Sequence, residues 1–291
     1  MLVRQAAVAG QFYGGSEKQC LAEVEECLGA IEVPGGLKDE IVGGIVPHAG
    51  WVFSGDLAGL VFSAIKKVHS KVDTFLIFGA SHRYSGREAV VYDKGSWETP
   101  LGSIDIDEEL AGQIAEVNGV KADRNAHLDE HSIEVQVPFI QNLFPEAKIV
   151  PVIVPGFGFD IKPGGEIASA ISKLEDKKVV CIASTDLTHY GPRYGFYPEG
   201  VGAEAIRWAK EVNDAEFIDL ALKMEAEELF AVALEKSSAC GPGAVDMLVS
   251  VVKGLGKEEG VLLGHTHSNE VMKKKFDQSS QESVGYAAIV Y

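Results

Sequence analysis

Three apolar runs in this chain each end in a histidine: 41–46 runs into Pro47-His48-Ala49-Gly50, 74–78 into Gly79-Ala80-Ser81-His82, and 179–184 into Thr185-Asp186-Leu187-Thr188-His189. Short apolar runs rich in β-branched residues read as strands buried on both faces. Pro47 cannot donate to a ladder and stops the first of them. Ligands of open α/β sheets bind beyond the strands' C-terminal ends, so His48 and His82 are candidates to meet around a metal ion. The alternative for each is a hydrogen bond that merely stabilises its own loop. Asp186 lies three residues before His189, where it could orient that imidazole or act beside it as acid or base. Ordinary turns contain the same spacing.

Cys240, in Ser237-Ser238-Ala239-Cys240-Gly241-Pro242, falls where a helix is expected to begin. Unpaired N–H groups there would lower its pKa and favour the thiolate, as nucleophile or soft metal ligand; a buried small apolar side chain is the competing reading. His131, between Glu130 and Ser132, could support a ligand or cap a turn. His265 and His267 would share one face of a strand, as a polar edge strand also would allow. His69 and His127 read as solvated loop residues, and Phe12 and Tyr13 as an apolar staple over the next helix or the rim of a pocket.

These groups need rigid elements to hold them. Ser16 and Gln19 form a capping box that starts a helix reaching 30. Helical periodicity continues over 55–68, 161–174, 199–210, 214–222, 226–236 and from Cys240 to 255, with Asp107 capping another to 117. Strands are expected over 148–154, 261–267 and 283–290 besides the three above, and 89–92 and 103–106 read as an antiparallel excursion. The stretch 129–140 alternates like a strand but has the length and acidic start of a helix kinked at Pro138; helix is the expectation. Strand and helix alternating in this way give a three-layer α/β/α fold with a mainly parallel mixed central sheet. No linker divides the 291 residues, so one domain over 1–291 is expected.

A formal net charge of −17 argues against nucleic acid or an anionic membrane surface as partner. No apolar stretch approaches a membrane span and the start lacks a signal-peptide pattern, which points to the cytoplasm. The four cysteines show no CxxC spacing, so no disulfide framework is expected.

Taken together, Val46-Pro47-His48-Ala49-Gly50-Trp51, Gly79-Ala80-Ser81-His82, Glu130-His131-Ser132-Ile133-Glu134, Ser184-Thr185-Asp186-Leu187-Thr188-His189-Tyr190-Gly191 and Ala239-Cys240-Gly241 resemble the Memo family, in order and over essentially the whole chain. That family is similar in fold to class III extradiol dioxygenases, whose non-haem iron is held by two histidines and a glutamate. The resemblance implies that His48 and His82 bind metal with Cys240 at the third-ligand position, that His189 is the catalytic base with Asp186 beside it, and that His131, Trp51 and Ser81 support the ligands or line the pocket. Where the dioxygenases carry a carboxylate this chain has Cys240, and a softer thiolate biases the site toward copper, zinc or a differently tuned iron. The implied function is metal-dependent redox chemistry on a small molecule, with a non-catalytic binding protein retaining the pocket as the alternative. Relatives encoded near radical-SAM and AMMECR-type proteins imply a pathway link to these.

Overall fold

The computed structural model describes residues 2–37, 40–157 and 163–291. After β1 (Val3–Arg4), helix α1 (Glu17–Gly29) leads to β2 (Gly43–Val46), α2 (Trp51–Val68) and β3 (Thr74–Ala80). Next come β4 (Ala89–Val91), β5 (Ser96–Thr99), β6 (Gly102–Asp105), α3 (Glu108–Ala115), β7 (Val120–Ala122), α4 (Val137–Leu143), β8 (Lys148–Val154), α5 (Gly164–Ser172) and β9 (Val179–Ser184). The remainder holds β10 (His189–Tyr190), α6 (Ala203–Trp208), α7 (Ala215–Leu222), α8 (Ala226–Lys236), α9 (Pro242–Gly254), β11 (Val261–His267), α10 (Ser268–Phe276) and β12 (Ser283–Val290).

Among the described residues, nine strands form one sheet in the order β10-β12-β2-β9-β3-β8-β4-β7, with β11 beside β12. Its centre, β2-β9-β3-β8, is parallel, and β12 and β4 flank it antiparallel. Successive residues of a strand face opposite sides of a sheet. A Cβ on Gly43 would lie 2.7 Å from Val252 of α9, and one on Gly44 2.7 Å from Val61 of α2. The two helices therefore close on opposite faces at adjacent glycines, which makes the fold a three-layer α/β/α sandwich with a mixed sheet. Its central strands read as unbroken apolar runs because both faces are covered. Strands β5 and β6 pair antiparallel, apart from this sheet and beside β1. No helix of the described residues is long and apolar enough to cross a membrane.

Several local expectations are corrected. The 129–140 stretch is irregular through His131, passes through a 3-10 turn at Glu134–Gln136 and becomes helical only as α4, with Pro138 in its first turn rather than at a kink. Pro is tolerated there because first-turn N–H groups lack helical partners anyway. The expected 161–174 helix begins in residues outside those described and is seen from Gly164. Helix α2 starts at Trp51, four residues before the expected 55, because Gly50 caps it. Helix α10, for which the sequence carries a weak apolar stripe, is an addition.

His69 and His127 are buried, not solvated. The His69 ring contacts the Ile41 carbonyl at 2.8 Å, and His127 Nε2 contacts the Val90 carbonyl at 3.1 Å, edge-on to Tyr92 and Trp97. The carbonyl of His127 accepts from Arg4 Nε at 2.7 Å. Arg4 also donates to the Glu130 carbonyl and to the Glu134 carboxylate, each at 2.7 Å, with its guanidinium 4.1 Å from the Trp97 ring centre. Both members of the Arg4–Glu134 pair are fully buried.

Removing one partner of such a pair leaves an uncompensated buried charge, at about 3–5 kcal/mol. Arg4→Met is expected to destabilise the chain by that amount in urea titrations, with Glu134→Gln recovering part of the loss in the double variant. Burial lowers the His127 pKa from its ordinary value to about 3. The native state therefore stays neutral at His127 while the unfolded chain takes up a proton below about pH 6.5. This group's contribution is intact above pH 6.5 and is lost as pH falls toward 3, by up to about 1.4 kcal/mol per pH unit. His127→Gln is expected to flatten the stability profile over that window, as read by denaturation midpoints at several pH values.

Candidate metal centre

His48 follows β2, His82 follows β3, and His131 lies in the irregular segment that Arg4 anchors from below. Their ligand atoms all lie within 4.8 Å of one another, the one such group of three among the described residues. Ring centroids stand 5.1 Å apart for His48–His82, 5.3 Å for His48–His131 and 4.4 Å for His82–His131.

The surrounding hydrogen bonds decide which nitrogens carry protons. Ser184 Oγ, at the end of β9, donates to the Ser132 carbonyl at 2.7 Å and accepts from Gln136 Nε2 at 3.2 Å. Its single proton is thus spent, and at 3.1 Å it can only accept from His48 Nδ1–H. His48 Nε2 is left as a bare lone pair. His82 is fixed in the same way by Glu130, whose Oε1 accepts from His82 Nδ1 at 2.9 Å and whose Oε2 accepts from the His82 backbone N–H at 2.8 Å. Burial alone would raise the Glu130 pKa, but the hydrogen bonds from the His82 ring, the Ser132 N–H and the His82 N–H hold it well below the usual carboxylate range, so Glu130 accepts only. His131 Nδ1 sits 3.5 Å from the same Oε1. A carboxylate on the far nitrogen is the usual partner of a metal-bound imidazole.

Burial, reinforced by the neighbouring imidazoles, lowers the pKa of His48 well below its ordinary value and that of His131 to about 4. Imidazole donors suit zinc, copper, iron or nickel, so three of them with ligand atoms within 4.8 Å of one another fit a transition-metal ion.

Cys240 meets this trio through His48, with Sγ 3.2 Å from Nε2, and accepts the Asp186 N–H at 3.3 Å. Since His48 Nε2 is unprotonated, the thiol is the donor. The helix-start expectation for its acidity is reversed. Helix α9 begins at Pro242 behind an N-cap at Gly241, and burial followed by the Asp186 charge pushes the Cys240 pKa up.

Asp186 accepts the His48 backbone N–H at 2.7 Å through Oδ1, and burial lifts its pKa to about 7. His189 lines the same cavity as His48, His82, His131 and Asp186, a space of about 620 Å³ closed on its apolar side by Phe12, Phe53, Met272 and Val284. Its Nε2 is buried without a hydrogen-bond partner among the described residues, its ring packs 5.1 Å from Tyr194, and burial lowers its pKa to about 4. Trp51 and Ser81 stand behind the site rather than in its lining. Trp51 Nε1 donates to the Val135 carbonyl at 3.0 Å, with its ring 5.0 Å from Tyr13, and Ser81 Oγ donates to the Tyr84 carbonyl at 2.5 Å. Phe12 takes the pocket-rim alternative, 4.8 Å from the His131 ring. Glu130, Ser184 and Gln136, which fix the tautomers, were not singled out from sequence; an acid directly before His131 was the available signal for the first.

A family model described as Memo-like protein matches residues 4–290. The chain belongs to the Memo family. A MEMO1 family protein of Thermococcus onnurineus is 38% identical over 298 residues, covering 100% of this chain and 99% of the relative. One from Thermococcus kodakarensis is 37% identical over 297 residues, with the same coverage, and one from Nitrosopumilus maritimus is 32% identical over 297 residues, spanning both chains completely. Within this Memo-family chain the motif histidines 48, 82 and 131 are the ones the fold brings together.

Replacing Glu130 by Gln puts an amide where His82 Nδ1–H now donates, and frees that ring to carry its proton on Nε2. Partners of this kind typically change metal affinity 10–100-fold. Glu130→Gln is expected to weaken cobalt(II) or zinc binding by that factor in competition titrations with a chromophoric chelator.

Proposed function

We propose that this Memo-family protein binds one transition-metal ion through His48, His82 and His131 and carries out metal-dependent redox chemistry on a small molecule held in the adjoining cavity. The observation that carries the reading is the locked tautomer pair: His48 and His82 each spend Nδ1–H on a buried acceptor and keep an Nε2 lone pair for the ion. Cys240 is the softer donor beside the imidazoles: its thiol now bonds His48 Nε2 and would have to release its proton to solvent to coordinate the ion itself, which would bias the site toward soft metals. Bound iron or copper would supply one-electron redox capacity there; zinc would supply Lewis acidity alone.

The chain's own groups account for binding and proton handling. The apolar wall of Phe12, Phe53, Met272 and Val284 excludes water around the body of a substrate. His189 Nε2 is buried beside the cavity without a hydrogen-bond partner among the described residues, so a bound molecule can supply one. A neutral imidazole there serves as base or donor, and Asp186, with a pKa near 7, can hold or release a proton at neutral pH.

Metal analysis of tag-free protein prepared with and without oxygen tests the reading. His48→Ala and His82→Ala are expected to bring metal content close to zero. Cys240→Ser is expected to keep a metal on the imidazoles while weakening copper(I) by at least about tenfold, since a hydroxyl is a harder donor. His189→Ala is expected to leave metal content unchanged and abolish turnover of any substrate found. Loss of metal in His189→Ala, or full metal content in His48→Ala, would overturn these assignments.

A further inference from the structure

Outside the metal centre, the most unusual backbone is the helical stretch from α6 to α7. Its middle, Ala209–Asp214, is π-helical, and the last two residues, Asn213 and Asp214, are both buried. A π turn carries an extra residue and commonly marks a functional site. Here two successive polar side chains face inward, where burial is costly for a group left unbonded; the Asp214 carboxylate and Asn213 Nδ2 are bonded, and Asn213 Oδ1 has no partner among the described residues.

Their bonds converge on one residue. Thr188 donates its backbone N–H to Asp214 Oδ1 at 3.0 Å, and its hydroxyl accepts from Asn213 Nδ2 at 2.9 Å. Its carbonyl accepts from the Gly285 N–H at 3.1 Å. All three polar groups of Thr188 are therefore held from outside its own loop. Asn213 Nδ2 also reaches the Lys236 carbonyl at 3.1 Å, at the end of α8 and shortly before Cys240. Asp214 Oδ2 contacts His265 Nε2 of β11 at 3.2 Å. A Cβ on Gly285 would lie 2.1 Å from that oxygen, so glycine is what lets the carboxylate approach. Thr188 stands between the two polar residues of its loop that line the cavity, Asp186 and His189.

We propose that Asn213 and Asp214 are positioning residues, a clamp built on the π turn that fixes the 186–189 loop and with it the aim of His189 into the cavity. The proposal rests on His189 being a group of this site, but not on metal binding. The clamp ties together the loop, the chain leading to Cys240 and strand β12.

The test uses full-length, metal-free protein labelled with [15N]histidine, whose eight histidines give a small set of ring signals, with His189 assigned by its loss in His189→Gln. In Asp214→Ala the His189 ring signals are expected to move or broaden while those of His69 and His127, held by other parts of the fold, stay in place. Asp214→Asn retains an oxygen for the Thr188 N–H and is expected to restore the His189 signals. Should Asp214→Ala not fold, Thr188→Val, which keeps the shape and removes the hydroxyl held by Asn213, is read in the same way. Unmoved His189 signals in a folded variant, equal movement of His69 and His127, or failure of Asp214→Asn to restore the pattern would overturn the proposal. Chelator-treated protein gives the readout directly, so a chain that bound no metal would leave the clamp standing.

Discussion

The buried pair between Arg4 and Glu134 is the constraint on which the site depends. Two charges taken fully out of water cost several kcal/mol each, and only dense hydrogen bonding recovers it. Arg4 supplies three donors to this end, to the carbonyls of His127 and Glu130 and to the Glu134 carboxylate. Glu134 accepts in addition from the backbone N–H groups of Ala7 and Val8 and from the Tyr13 hydroxyl. Two largely irregular stretches, 4–13 and 127–136, are thereby stitched together. Glu130 and His131 lie between the anchors at 127 and 134, so the carboxylate that fixes His82 and the third imidazole of the trio inherit their places from an ion pair outside the cavity.

That arrangement explains how three imidazoles, His48 buried, His131 half-buried and His82 exposed, stand so close together. Protonated, they would repel one another in a medium that screens poorly; burial and mutual repulsion keep His48 and His131 neutral. Glu130 sits behind two of the rings as the single fixed negative charge in contact with them. Hydrogen bonds to Ser184 and Glu130 then select the tautomer, and the outcome is a group of ring nitrogens within 4.8 Å of one another, with the Cys240 thiol as the protein donor at His48 Nε2. A cation is the natural occupant of such a site.

The cavity beside it is asymmetric for reasons that trace to separate elements. The N-terminal loop brings Phe12, the first turns of α2 bring Phe53, and α10 brings Met272, giving an apolar wall. The loop after β9 and the turn after β10 add Asp186, His189 and Tyr194 to the lining, where Arg193 and Glu282 also stand. Such a division of labour suits a site that orients a substrate by its polar end while keeping water from the rest.

Local sequence determined a great deal of this. Strands β8, β9, β11 and β12 and helix α8 occupy the residues that periodicity and turn chemistry assign them, because a strand covered on both faces or a helix with one apolar stripe writes its burial into every few residues. His48 and His82 were legible as strand-end groups for the same reason, and the recurring motifs carried the family. What only the tertiary structure decided are features whose partners lie far along the chain. His131 joins the trio, and the 129–136 stretch escapes helix, because Arg4 lies more than a hundred positions away and leaves no local pattern. His69 and His127 are buried because single distant carbonyls receive them. The π turn bearing Asn213 and Asp214 has no periodic signature, since its extra residue is stabilised by bonds to Thr188. Cys240 ends up a raised-pKa thiol because burial and the Asp186 charge, brought in by a loop more than fifty positions away, act on it. Periodicity reports which face of an element is covered; it does not report which distant polar group completes a hydrogen bond, and in this protein those bonds place the site.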